Sequence, residues 1–141
     1  MGNAQSVPRI NFEDMQTSLK NRETTVIINT LVNTMQDCLI KNTVPSFQEE
    51  ELINSLIKTG RKDIQIIIYG KNSNDITVYK KYQQLFQLGF YNLYIYTGGL
   101  FEWMLLQDIY GADDFPTTKK ELDILKYKGN RILGVGLLTH Y

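Results

Sequence analysis

The stretch that most constrains this chain is IQIIIYG, residues 64–70. Its apolar residues follow one another without the polar alternation of a half-exposed strand, so a strand here must be covered on both faces. TTVIINTLV, residues 24–32, has the same character. Between them PSFQEEELINSLIKTG predicts a helix: Ser46 stands three residues before Glu49, the spacing of a capping box. Leu52, Ile53, Leu56 and Ile57 form an apolar stripe, and Gly60 suits the stop. Glu49 to Glu51 near its start and Lys58 and Arg61 at its end complement the helix dipole and read as a solvated face. A second helix is expected from Asp75 to about Leu88, with Ile76, Tyr79, Tyr82, Leu85 and Phe86 on one side. FYNLYIYTGG then reads as a strand closed by a glycine pair, and LFEWMLLQDIYG as a short helix. INFEDMQTSLK, residues 10–20, predicts an extended start and a small helix with Phe12, Met15 and Leu19 on one face, and CLIKNT, residues 38–43, is a further strand candidate. Strands alternating with helices imply right-handed parallel crossovers. The expected class is α/β, a central, mostly parallel sheet of four to five strands with helices on both faces.

A chain of 141 residues with 43% hydrophobic content supports one substantial core. It divides into a flexible N-terminal segment, 1–9, a domain, 10–112, and a C-terminal extension, 113–141, with a short helix near 118–127 that either wraps the domain or reaches a partner. Fifteen basic and fifteen acidic residues balance to zero, which disfavours nucleic-acid binding. Cys38 is the only cysteine, so no internal disulfide forms, and no Cys/His cluster offers a metal site. That usage fits a reducing, intracellular compartment. No cofactor is expected. The start, MGNAQSVPRINFEDMQ, lacks the apolar core of a secretory signal, and no later run approaches the ~20 apolar residues of a spanning helix. Abundant Asn, Ile, Lys and Tyr suit an A+T-rich gene, as in some protists and large DNA viruses.

From about Ile10 to Gly111 the order of elements resembles the rhodanese-like domain family, and two local signatures carry the resemblance. In LGFYNLYIYTGGLFEW, the turn Gly89-Phe90, the pair Gly98-Gly99 and Trp103 four residues on match the family's helix end, strand, Gly-Gly and Trp. Physically, the glycines permit a tight turn and Trp103 would bury a large ring beneath it. In IIIYG, the strand is similar to the one that ends in the catalytic Cys of active members. VIIN likewise takes the place of the family's apolar run and Asp, with Asn29 where the Asp would be.

Carried over residue by residue, the active loop comes out empty. Active sulfurtransferases of the family have a Cys at the first loop position, usually a Gly three residues on and an Arg two after that. Here those positions hold Gly70, Ser73 and Asp75. The chemistry needs a thiolate that accepts sulfur as a persulfide, with loop N–H groups and a basic side chain supporting the anion. The Cys and Arg of the related phosphatases are missing too. The resemblance therefore implies an inactive member with no catalytic residue and a degenerate active-site loop: Gly70, Lys71, Asn72, Ser73, Asn74 and Asp75. Asp75, at the loop–helix junction, is a good N-cap whose charge would occupy the donors an incoming anion needs. Lys71 could still attract phosphate or sulfate. Cys38 reads as a small apolar core residue. His140, the only histidine, lies one residue from the C-terminus, and Ser73 has no His to activate it. Asp113 and Asp114, like Glu49 to Glu51, do not look buried and so lack the environment that would separate acid from base. Tyr91, Tyr94 and Tyr96 cannot all point inward.

The first six residues, MGNAQS, match the M-G-x-x-x-[ST] pattern for N-myristoylation at Gly2. One myristoyl chain binds membrane with K on the order of 10⁴ M⁻¹, and stable anchoring takes a second signal. No nearby Cys offers palmitoylation, and Arg9 alone is no polybasic patch, so a protein partner, self-association or enclosure in an assembly must help. The function expected from the sequence is a non-catalytic interaction or scaffold module, membrane-proximal through its acyl chain, at the cytoplasmic face of a membrane or in the cytoplasm. A structural role in a membrane-containing virion is one version of it. The alternatives are a sulfurtransferase or phosphatase relative with an atypical site, Cys38 reaching the loop, and an anion-sensing domain.

Overall fold

A computed structural model describes residues 7–133. Five strands, β1 (Arg9–Ile10), β2 (Thr25–Asn29), β3 (Thr43–Val44), β4 (Gln65–Tyr69) and β5 (Leu93–Tyr96), form one parallel sheet in the order β1-β5-β4-β2-β3. Four helices accompany them: α1 (Phe12–Leu19), α2 (Ser46–Lys58), α3 (Thr77–Gln87) and α4 (Gly99–Tyr110). The α/β expectation holds. Central β4 explains why its isoleucines show no alternation: Ile66 and Ile68 point into a core with Ile53, Leu56, Val78 and Leu85 of α2 and α3. Ile67 and Tyr69 point into the opposite core with Met15, Trp103 and Met104 of α1 and α4. Each buried isoleucine contributes roughly 2 kcal/mol of transfer free energy.

Several local expectations need correction. Ser46 does not cap α2: it is the first helical residue, its N–H donates to Gln36 Oε1 (2.9 Å) and its hydroxyl to Asn33 Oδ1 (3.1 Å). The capping box of this fold is Asn11–Asp14 at α1, where the Asn11 side chain accepts from Asp14 N and Asp14 from Asn11 N. Helix α3 starts at Thr77, not Asp75, leaving Ile76 78% exposed, and Phe86 is 53% exposed, stacked on Tyr82; Val78 and Leu85 fill the core instead. Of residues 38–43 only Thr43 enters a strand; Ile40 makes an isolated antiparallel bridge to Thr117, and Asn42 turns the chain at φ 71°. Glu49 is not simply solvated, since it forms an ion pair with Lys81 between α2 and α3. Of the three tyrosines around β5, Tyr96 is buried, Tyr94 half-buried and Tyr91 exposed.

Residues 112–133 lie against the domain. Phe115 and Tyr127 are buried in the α1/α4 core, Trp103 Nε1 donates to the Pro116 carbonyl (3.1 Å), and Thr118 N donates to Leu39 O (2.8 Å). The short helix expected near 118–127 is a 3-10 turn, Ile124–Tyr127. At the other end, Pro8 O already accepts from Ile95 N (3.0 Å) and Val7 packs on the α2/α3 core. Gly2 and His140 lie outside the described residues.

Candidate functional site: a filled loop at the strand ends

All strands run the same way, so their C-terminal ends gather at one edge, where sheets of this class bind ligands. The loop 70–75 leaves β4 at the middle of this edge. Gly70 is buried, Lys71, Asn72 and Asp75 are half-buried, and Ser73 and Asn74 are exposed. Asp75 turns its carboxylate back over the loop. One oxygen, Oδ2, accepts from Lys71 N (2.9 Å); the other accepts from Thr77 N (3.0 Å) and Thr77 Oγ1 (2.6 Å). The Asn72 side chain accepts from Asn74 N (2.9 Å). Asp75 is not the N-cap expected from the sequence, since Ile76 holds that position without a side-chain hydrogen bond; its charge instead sits on Lys71 N and Thr77 N, donors that an anion would use.

The space is taken as well as the donors. A Cβ on Gly70 would fall 2.5 Å from Asp75 Oδ2, 2.9 Å from its Cγ and 3.0 Å from Thr30 Oγ1. A side chain at position 70 would have to push the Asp75 carboxylate off its bonds to Lys71 N and Thr77. The carboxylate favours glycine here, with no positive φ to demand it.

The neighbouring β5–α4 turn braces this loop from below. Gly99 has φ +67°, and a Cβ there would meet Asn72 N and Gly70 O at 2.9 Å, so glycine is required by both conformation and contact. Leu100 N donates to Gly70 O and Phe101 N to Lys71 O, both 2.9 Å, which commits two free N–H groups of α4 to the loop's carbonyls. Gly98, by contrast, has ordinary helical dihedrals. From above, Asn72 Nδ2 donates to Tyr127 O (2.9 Å), drawing the C-terminal segment across the loop.

Asn29 ends β2 beside this edge, where a charge would be costly. Its Nδ2 donates to Gln36 Oε1 (3.1 Å) and Val44 O (3.2 Å); its Oδ1 accepts from Leu31 N (3.0 Å) and Gln36 Nε2 (2.8 Å). Every polar atom of this buried amide is used, so Asn29 is a joint between β2, β3 and the turn before α2. Cys38 is elsewhere. Its thiol is 2% exposed, points at the Lys119 carbonyl (3.2 Å) and touches Met104 Sδ. Burial pushes its pKa up, and a carbonyl oxygen opposes a thiolate. Gln36 and Tyr127 are the residues the sequence did not flag; neither position carries a motif, and each matters through contacts distant in the chain.

A family model for the rhodanese-like domain matches residues 27–106. The chain belongs to the rhodanese-like family. Solved structures agree on the fold. A single-domain sulfurtransferase from Saccharomyces cerevisiae aligns at 14% identity with TM-score 0.55, covering 82% of this chain and 100% of that one. An As-Sb reductase from Leishmania major aligns at 16% with TM-score 0.52, covering 74% and 79%. A thiosulfate sulfurtransferase from Pseudomonas aeruginosa aligns at 18% with TM-score 0.54, covering 70% of this chain and 19% of that chain. No curated protein sequence matches. This rhodanese-like domain thus keeps the family scaffold with Gly70 and Asp75 at its loop.

Proposed function

We propose that the protein is a non-catalytic rhodanese-like module, N-myristoylated at Gly2, that acts at a membrane by holding a protein partner, a structural place in a membrane-containing virion being one form of that role. The observation that carries the non-catalytic reading is that a glycine heads the loop, with the Asp75 carboxylate bonded to Lys71 N and 2.5 Å from where a Cβ would stand. Sulfur transfer through a persulfide needs a thiolate at the head of the loop and free donors around it. Here the head has no side chain and a carboxylate holds the donors. The MGNAQS start supports acylation, and among the described residues no helix is long and apolar enough to cross a membrane, so attachment would be peripheral.

Two measurements test this. Thiosulfate-to-cyanide transfer should stay at background in the native protein and in Cys38→Ser; a native rate that Cys38→Ser abolishes would overturn the non-catalytic reading. Intact mass after coexpression with a myristoyltransferase should rise by one acyl chain and lose that gain in Gly2→Ala. No gain removes the membrane argument.

A further inference from the structure

The opposite edge of the sheet, where helices end and strands begin, carries a surface that the loop chemistry does not use. Helix α2 finishes there with Lys58, and the turn into β4 adds Arg61 and Lys62. Helix α3 finishes beside them with Phe86, 53% exposed, followed by Leu88 and then Tyr91, 69% exposed. The two turns touch: Asn92 Nδ2 donates to Asp63 O (3.2 Å), and the Lys62 ammonium lies 2.9 Å from where a Gly89 Cβ would stand. Lys58, Arg61 and Lys62 form no ion pair with any described residue. Asp63 is the one acid in these turns. On the far side of the same edge, Lys20, Arg22 and Lys41 share a cavity with Glu13, Asp113 and Asp114, and Lys58 shares one with Glu50 and Glu51, which leaves Arg61 and Lys62 as the cations of this edge with no acid among the described residues lining a cavity beside them. A chain of zero net charge is thus locally cationic here.

The first described residues also lie at this edge. The register pairs Arg9 with Ile95, so Val7 stands level with Leu93, two residues beyond Tyr91, and packs on the α2/α3 core. Gly2 is five residues upstream of Val7, a reach of at most about 17 Å. We infer that Arg61 and Lys62 with Phe86, Leu88 and Tyr91 form a docking face for an anionic lipid bilayer. It supplies the second signal that an acyl chain on Gly2 needs. Basic side chains near a membrane attract acidic headgroups, and aromatic rings settle at the interface, so the two residue types act together beside the acyl chain. The degenerate loop, at the other edge, then faces away from the membrane toward a partner. This assignment rests on the acylation reading for its full strength, and the arms of the test separate the two.

The full chain, with and without coexpressed myristoyltransferase, is sedimented with phosphatidylcholine vesicles and with vesicles containing phosphatidylserine. The acylated protein should bind the anionic vesicles at least tenfold better than the neutral ones, the preference shrinking with added salt. Arg61→Glu/Lys62→Glu should remove that preference, and Phe86→Ser/Tyr91→Ser should weaken binding to both vesicles. Leu122→Ser/Leu125→Ser, at exposed leucines of the C-terminal segment, should change neither. Circular dichroism melting confirms that each variant is folded. Equal binding of the acylated protein to both vesicles, untouched by Arg61→Glu/Lys62→Glu, would overturn the docking face and leave acylation standing. No mass gain, with anionic binding that still depends on Arg61 and Lys62, would retain the face and remove the acyl chain. No binding in any form overturns the inference.

Discussion

Two turns lie side by side at the C-terminal edge of the sheet, and different forces fix them. The β5–α4 turn is set by packing: Gly99 has backbone where its Cβ would be, and beneath it Trp103 is fully buried, edge-on to Tyr96 and Phe115 at 6.0 and 5.0 Å. The β4–α3 turn is set by hydrogen bonds, those of the Asp75 carboxylate and of Asn72 within the loop and those of two α4 N–H groups to its carbonyls. The first could not change without disturbing the fold. The second should tolerate change more readily, provided two residues change together. The comparison separates a turn that the packing of the fold fixes from one that polar side chains of the loop fix.

The largest effects should therefore fall on the first turn. Trp103→Ala is expected to cost about 3–5 kcal/mol in urea denaturation, from the cavity and from the lost indole bond to Pro116 O. Gly99→Ala should cost about 3 kcal/mol, combining left-handed strain with a backbone clash. A cost under 1 kcal/mol for either would show that the turn is not held by packing.

Asn29→Asp, which restores the residue type expected from the family, should come next, at about 2–3 kcal/mol. The new carboxylate would face the Val44 carbonyl with no proton to offer it, and Gln36 could turn its amide only by abandoning Ser46 N. A stability equal to that of the native protein would mean that the Asn29–Gln36 joint is not structural.

Gly70→Cys sharpens the comparison most directly. With Asp75 present it should cost about 2 kcal/mol and give no sulfur transfer; in an Asp75→Gly background most of that cost should vanish, a coupling of at least about 1 kcal/mol between the two sites. The same penalty in both backgrounds would show that something other than the carboxylate excludes a side chain.

How much of this was legible beforehand follows from which interactions are local. Runs such as IIIY announce a doubly buried strand because burial on both faces needs only residue type, and Gly99 and Trp103 stand out because one turn demands them within five residues. Asp75 reads from spacing as an N-cap, but Ile76 takes that position and the carboxylate folds back onto Lys71 N instead. The N-cap of α2 was misread because Gln36, ten residues earlier in the chain, supplies the acceptor that a capping serine would have supplied. Ile76 and Phe86 were misplaced because periodicity gives the apolar face of a helix and not where the sheet beneath it ends. That the Asp75 carboxylate fills the space above Gly70 depends on loop curvature, which no spacing rule encodes.

The smallest effect concerns the segment that crosses the second turn. Burial, the largest cause, pushes the Tyr127 phenol from 10.0 up to about 12, and the nearby Cys38 adds to it. The folded protein thus holds this proton more tightly than the unfolded chain does. Its contribution is whole below pH 10 and is lost as pH rises from 10 toward 12, so stability should decline over that window. Tyr69 and Tyr96, raised mainly by burial as well, add to the decline, which is why the comparison must be made between proteins that differ at one ring. Tyr127→Phe should be less sensitive to pH between 10 and 12 than the native protein while keeping the backbone bond from Asn72 to residue 127. Equal slopes would mean that Tyr127 ionises as freely in the folded protein as in the unfolded one. The segment across the loop would then be open to solvent, and the β4–α3 turn would be held by Asp75, Asn72 and the α4 N–H groups without it.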